Sequence, residues 1–467
     1  MSEESIQSYD TVDESAWPLL KSERNWGQFQ LWIVLLVAAS ATWCYIIGEY
    51  VGYYLDMKMG AAAMIAGSMI GMFLVTLAVV PSATRYGIDS ISSSKPQFGN
   101  KGWVITVFLQ YVSIIGWNSL LLIFFGKSVA QLLTAMGITG EESGTIIVPV
   151  ATAIACVGVY LVLLKGASGV ERVTKILFLF IVGVGIWMIY MLLTNESEAL
   201  AAAKPAYASG SLLWDYTTGL EIGIVSLLSW WPYIGAMVRE SPNAHTATLP
   251  SMLGMGLPVP ILSIIGLAAI LALETSDPAA WLIQLGGTFY GSIALLFVIA
   301  ANFGTAVIGV YASAVGLKHI PAIGKMSWKV ALLLGLVPVA FVGIVIQDWF
   351  FNNFGTFLAF IGVTFAPLVA IQIVDYFLLR NQRLDIRAMY DDSPSSSYAY
   401  WAGFNPAALA AMVAGFFTYI YLLDPLTYES NFPYEYMTAA LPTAVVGGVV
   451  YLIVTKLVVQ PAKLGGY

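Results

Sequence analysis

The side chains of this sequence that could do chemistry in an apolar setting are few, and they fall into three groups. Two acids stand inside long apolar runs: Glu49 closes VAASATWCYIIGEY, and Glu221 opens GLEIGIVSLLSWWPYIGAMVRES. An unpaired charge near the middle of a bilayer costs at least about 2.5–3.5 kcal/mol on insertion scales, so each could bind an ammonium or amidine, or carry a proton. The plain alternative is a carboxyl satisfied by a neighbouring hydroxyl or amide. Asp375, close to Arg380 and Arg383, reads instead as an ion pair or a gate. Trp43, Trp117, Trp230 and Trp231 form the second group, because an indole face stacks on a flat heterocycle. Trp17, Trp26, Trp103, Trp214 and Trp349 lie near polar segments and read as interface markers. Amides and hydroxyls make the third group: Asn118 beside Trp117, and Asn302 with Thr305, which share a helix face at a spacing of three. Small-residue packing through Ala301, Gly304, Ala306 and Gly309 is the rival reading for that stretch.

What must position these groups is a membrane bundle. Of 467 residues, 59% are apolar and only 10% charged, against roughly a quarter charged in soluble chains, which excludes an ordinary soluble enzyme, a disordered chain and a nucleic-acid binder. Cys44 and Cys156 give no disulfide framework, and His245 and His319 sit in polar connections, so metal or hydrolytic catalysis has little to work with and no cofactor is expected. A membrane-embedded enzyme would want an intramembrane histidine, cysteine pair or acid cluster, and a sensor an appended soluble domain. Neither pattern is read here.

Runs long enough to span hydrocarbon number about twelve: 29–53, 59–81, 102–134, 144–164, 173–194, 214–238, 249–273, 284–317, 328–346, 350–379, 402–423 and 437–459. Residues 1–28 read as an acidic cytoplasmic tail with no signal peptide. Glu3, Glu4, Asp10, Asp13, Glu14 and Glu23 outweigh Lys21 and Arg24 there and account for more than half of the net charge of -7. With both termini placed inside, all of the 20 lysines and arginines except Lys58, Lys127 and Lys204 fall on the cytoplasmic side, as the positive-inside rule requires.

Residues 29–194 and 214–380 hold five runs each over blocks of about 166 residues, and two successive odd-numbered blocks must lie in opposite orientations, the arrangement of inverted-repeat transporters. Residues 400–460 supply the last two helices. The first helix of each block is interruptible: Ala38 to Thr42 are small or hydroxylated, and Pro232 lacks an amide donor beside Gly235.

Several strings together resemble the nucleobase:cation symporter family, the purine, cytosine, allantoin and hydantoin permeases. FLAFIGVTFAPLVAIQIVDYFLLRNQRLDI (357–386) is similar to its tenth helix, YWAGFNPAALAAMVAG (400–415) to the start of its eleventh, and SWWPYIGAMVRE followed by GMGLP to its sixth and seventh. The resemblance covers nearly the whole chain. It implies an all-α fold of twelve transmembrane helices, a LeuT-type five-plus-five inverted repeat with two peripheral helices, working by alternating access. It also implies that Trp117 matches the stacking tryptophan of the third helix and Trp230 that of the sixth, with Trp231 as its neighbour. Three departures stand out. The acid of an Asp-Tyr-Thr-Arg string is absent where Ala236, Met237, Val238 and Arg239 stand, Leu121 replaces a polar amide, and Phe303 and Gly304 precede Thr305 where sodium-coupled members place neighbouring hydroxyls. A hard cation wants several oxygen ligands, so the coupling ion is expected to be a proton rather than sodium, through Glu49 or Glu221, with Thr305 as a further candidate for cation coupling.

The expected function is import of a nucleobase or related nitrogen-rich heterocycle or cation across the inner or plasma membrane. The candidate substrate residues are Trp43, Glu49, Trp117, Asn118, Glu221, Trp230, Trp231, Asn302 and Thr305. An amino-acid or amine transporter of the same fold is the alternative. The expected partners are the lipid bilayer and a small-molecule substrate, with no nucleic acid, in a monomer or weak homo-oligomer.

Overall fold

The computed structural model describes residues 17–164 and 182–467. The first principal helices in chain order, which set the site, are α1 Gln28–Ala39, α2 Trp43–Gly52, α3 Met57–Tyr86, α4 Ser90–Phe98, α5 Val104–Ala135, α6 Gly144–Leu163, α7 Val182–Asn195, α8 Leu212–Leu228, α9 Trp231–Val238, α10 Ala244–Gly256 and α11 Pro258–Leu273. After these come α12 Pro278–Lys318, α13 Trp328–Val345, α14 Phe354–Ile373, α15 Pro406–Leu422 and α16 Ala440–Val454. Among the described residues, 8 helical stretches are long and apolar enough to cross a membrane, or 10 if each of two bent pairs is one span. Val182–Asn195 and Pro406–Leu422 are shorter apolar helices. Part of the expected run 173–194, together with Lys165, Arg172, Lys175 and the first 16 residues of the tail, lies outside the described residues.

Both expected helix breaks are present. α1 and α2 meet at 62° and α8 and α9 at 45°. At the first, Ser40 leaves the helical conformation (φ -94°, ψ 92°) and its hydroxyl donates to Leu36 O at 2.7 Å. A short polar side chain thus competes for a backbone carbonyl and loosens the helix, without any proline. At the second, Pro232 falls in the first turn of α9, where its missing N–H costs nothing. Pro232 therefore starts a half-helix rather than kinking a continuous one, and Ser229 Oγ donates to Ser226 O at 2.5 Å at the end of α8.

Close backbone packing fixes where these half-helices lie. A Cβ at Gly67 or Gly71 of α3 would collide with the carbonyl oxygens of Leu220 and Ile224, so α8 runs directly against α3. A Cβ at Gly48 would strike Ser263 O, and one at Gly266 would strike Tyr45 O, which locks α2 to α11 in the same way. Such small-residue contacts suit a lipid setting, where apolar side chains gain nothing from leaving water. α5 packs along α12, whose axis breaks at Gly287 (φ 62°), a conformation only glycine adopts without strain. α15 and α16 pack on each other and on the outside of α14.

The end of the acidic tail is not free in solvent. Arg24 donates to Leu19 O, Thr84 O and Arg85 O, Leu19 N donates to Gly87 O at 2.9 Å, and Trp17 stacks on Tyr390 with ring centroids 5.0 Å apart. Residues 17–26 thereby cap the lower end of α3.

Candidate functional site

The two breaks face one another across α5 and α12 and leave a cavity of about 450 Å³. Three elements each send an indole into it: Trp43 begins α2, Trp117 lies midway along α5, and Trp230 occupies the turn before α9. Trp43 meets Trp117 edge to face (centroids 5.1 Å apart, 64° between planes) and Trp230 at 5.8 Å, while Tyr233 packs on Trp230 at 5.3 Å. Trp117 is 7% exposed, and its Nε1 has no hydrogen-bond partner among the described residues. Indole faces inclined to one another can hold a flat ring by stacking, and an N–H without a partner offers one directional contact.

Gln110 is a cavity residue that sequence reading passed over. Its Nε2 donates to Pro232 O at 3.4 Å, and its buried Oε1 has no partner among the described residues. It stands seven residues before Trp117, two helical turns along the same face, and that spacing was the signal that could have found it. An unpaired buried acceptor beside an aromatic cavity can take a proton donor from a ligand's edge.

The sequence candidates separate into those the cavity gathers and those it does not. Trp43, Trp117, Asn118, Trp230 and Thr305 line it. Asn118 is held from two sides, because its Nδ2 donates to Ile114 O at 2.9 Å and its amide fills the space opposite Gly309. Thr305 Oγ1 donates to Ala301 O at 3.0 Å, one turn back along α12. Asn302 lies behind the cavity wall, where its Oδ1 accepts from Thr42 Oγ1 and ties α12 to the break between α1 and α2.

Three further candidates lie off the cavity. Trp231 points away from the cavity: it is fully buried, packs on Phe365, and donates from Nε1 to Gln372 Oε1 at 2.6 Å, while Gln372 donates on to Ser93 at 3.1 Å. Adjacent residues on a helix diverge by about 100°, so only one of the two tryptophans can face the cavity. Glu221 is likewise remote. Tyr419 OH donates to its Oε1 at 2.7 Å, and the amides of Ala439 and Ala440 donate to Oε2 at 3.1 and 3.0 Å. It closes the N-terminus of α16 and joins α8 to α15, a structural role. Glu49 lies in a separate chamber on the far side of the indoles, accepting from Tyr53 OH at 2.6 Å.

Toward the face that carries Arg24, Lys95 and Arg239 the cavity reaches Trp26, Asp89 and Arg239. Asp89 caps α4 by accepting from Ser92 N at 2.8 Å and lies 2.9 Å from His319 Nε2. Burial alone would raise its pKa, but His319, Arg239 and the Ser92 amide outweigh burial and hold the carboxyl well below the usual range. Asp375, just past the C-terminal end of α14, forms the expected ion pair: Arg380 Nε donates to it at 2.7 Å, joined by Gln97, Tyr451 and Tyr467.

Two broken spans flanking an aromatic cavity within an all-helical apolar bundle define a membrane transporter of the LeuT-like fold. The structure matches Mhp1 in its inward-facing conformation with a TM-score of 0.76 at 18% identity, over 95% of this chain and 94% of that one. It matches the closed conformation of Mhp1 with bromovinylhydantoin bound at 0.72. The sequence narrows the class to a family. The model for permeases of cytosine/purines, uracil, thiamine and allantoin matches residues 18–447, and the chain belongs to that family. A purine-uracil permease of Arabidopsis thaliana is 22% identical over 94% of this chain and 76% of its own length. A hydantoin permease of Microbacterium maritypicum is 22% identical over 85% of this chain and 82% of its own. The family is one of permeases and not of enzymes.

Proposed function

We propose that the chain imports a nucleobase or a related nitrogen-rich heterocycle by alternating access, with the ring held among Trp43, Trp117 and Trp230 and its edge read by Gln110. The convergence of three indoles from three elements on one cavity carries this reading. A volume of about 450 Å³ suits a small ligand, and stacking recognises a ring by its flat face whatever its substituents. Asn118 and Thr305 border the same space and complete the proposed substrate site.

The proposed topology has twelve spans with both termini cytoplasmic, counting each bent pair and the helices containing Val182–Asn195 and Pro406–Leu422 as one span each. Residues 29–194 and 214–380 form the two inverted repeats, and 400–460 the peripheral pair. The lysine and arginine bias supports this orientation, in which the end of the cavity lined by Trp26, Asp89 and Arg239 lies toward the cytoplasm. The membrane is the inner or plasma membrane.

The driving ion in this reading is a proton rather than sodium. Glu49, with one carboxylate oxygen unpartnered among the described residues, is its candidate carrier. Glu221, fully engaged by Tyr419 and two amides, is not. Proteoliposomes given labelled cytosine, uracil, hypoxanthine, allantoin and hydantoin under imposed pH or sodium gradients test all of this. Uptake of at least one base driven by an inward proton gradient is expected; stimulation by sodium alone overturns the ion assignment, and no uptake or binding of any of these heterocycles overturns the substrate class.

A further inference from the structure

Beyond the aromatic cavity, on the face opposite the basic one, a second chamber of about 380 Å³ shares no lining residue with the first. We propose that it is a separate binding site for a small organic cation, a protonated primary amine or a quaternary ammonium. Its floor is Glu49, 2% exposed, with Oε1 taken by Tyr53 and Oε2 without a hydrogen-bond partner among the described residues. A buried carboxylate oxygen with nothing donating to it, on a residue that lines a cavity, calls for a donor that carries positive charge.

The walls suit the same ligand. Tyr50, Tyr53, Tyr54, Tyr207 and Tyr428 surround the chamber. Tyr50 and Tyr53 stand edge to face at 5.6 Å, and Tyr207 lies 5.1 Å from Tyr53 and 6.5 Å from Tyr54. Several electron-rich rings around one acid form the cage that recognises ammonium groups. Lys127, the protein cation whose charge reaches Glu49, is itself paired with Asp277 at 3.4 Å and lies over the Phe351 ring at 4.0 Å, so it does not occupy the carboxylate.

Phe354 divides the two spaces, touching Trp117 at 5.3 Å on one side and Tyr50 at 6.2 Å on the other. The outer chamber opens at its rim, where Tyr207 is 63% exposed. A ligand can therefore reach it without passing the indoles. The site is independent of which heterocycle the central cavity takes.

The test is calorimetric titration of the purified full chain with benzylammonium, against benzyl alcohol as its uncharged counterpart. Wild type and Trp117→Ala are expected to bind benzylammonium within about twofold of each other, with Glu49→Gln and the alcohol each at least about tenfold weaker, and Tyr207→Ala weaker by a smaller factor. Should Glu49→Gln fail to fold, the rim variant and the alcohol carry the same comparison. The proposal is overturned by no binding to wild type, by equal binding of the alcohol, or by binding that survives Glu49→Gln and disappears in Trp117→Ala, which would place the cation in the central cavity.

Discussion

The carboxylate of Glu221 is shared between a side chain and a helix terminus: Tyr419 OH donates to one oxygen at 2.7 Å, and the amides of Ala439 and Ala440 donate to the other at 3.1 and 3.0 Å. Three donors around one buried acid join α8 to the two helices outside the central bundle. Glu221→Ala leaves those donors unsatisfied, at a cost of about 1–3 kcal/mol each for groups that find no water. The expected result is a clear drop in the thermal unfolding midpoint with the ion dependence of uptake unchanged. Loss of gradient-driven uptake at undiminished stability would show that Glu221 has a coupling role after all.

The adjacent tryptophans Trp230 and Trp231 should respond oppositely to substitution. Trp230→Ala removes a cavity face and is expected to weaken heterocycle binding by about tenfold or more, since stacking on one ring contributes about 1–3 kcal/mol. Trp231→Phe loses the bond to Gln372 and is expected to lower stability while leaving the dissociation constant within about twofold. Ligand titration and thermal melts on the two variants separate the roles. Equal effects on binding would refute the assignment.

Gln110 is expected to act through its free Oε1. Gln110→Leu keeps most of the volume and removes the acceptor, so affinity for a base that presents an N–H should fall by roughly tenfold, on the order of 1–2 kcal/mol, while an N-methylated analogue loses less. A uniform loss across both ligands would mean that the substitution merely disturbs the packing of α5 against Pro232.

Asp89 supplies a pH signature. Its pKa is depressed in the folded protein, so its ionised form contributes stability above the unfolded value near 4, and that contribution is lost as pH falls through the acidic range. Asp89→Asn should therefore melt at a lower temperature than wild type near pH 7, with the gap narrowing below about pH 4. A gap that is constant with pH would show that His319 and Arg239 do not stabilise the carboxylate.

Much of the architecture was legible in the chain because its causes are local. Apolar run length marks where a helix can cross hydrocarbon, and Ser40 and Pro232 mark where two of them break, the first by offering a hydroxyl to the backbone and the second by fitting the first turn of a new half-helix. The asymmetry of lysine and arginine yielded the proposed orientation. Trp117 and Trp230 were recognised from strings shared with the family, and both line the cavity. Gln110 was missed because its sequence mark, a position two helical turns before Trp117 on the same face, does not distinguish a ligand reader from a bond between helices.

The sequence by itself determined the membrane class, the breaks and the family, since each rests on residue type and spacing along one chain. Only the tertiary structure decided which polar groups are free. Glu49 and Glu221 look alike in sequence, each an acid in an apolar run, yet Glu221 meets Tyr419 and the start of α16 from more than 190 residues away, while Glu49, beside a chamber of tyrosines, keeps one buried oxygen without a hydrogen-bond partner among the described residues. Trp230 and Trp231 are neighbours in the chain and face different surroundings because successive residues at the start of α9 diverge by about 100°. Whether a buried group is satisfied depends on partners brought from distant segments, and helix phase and close backbone packing set those partners.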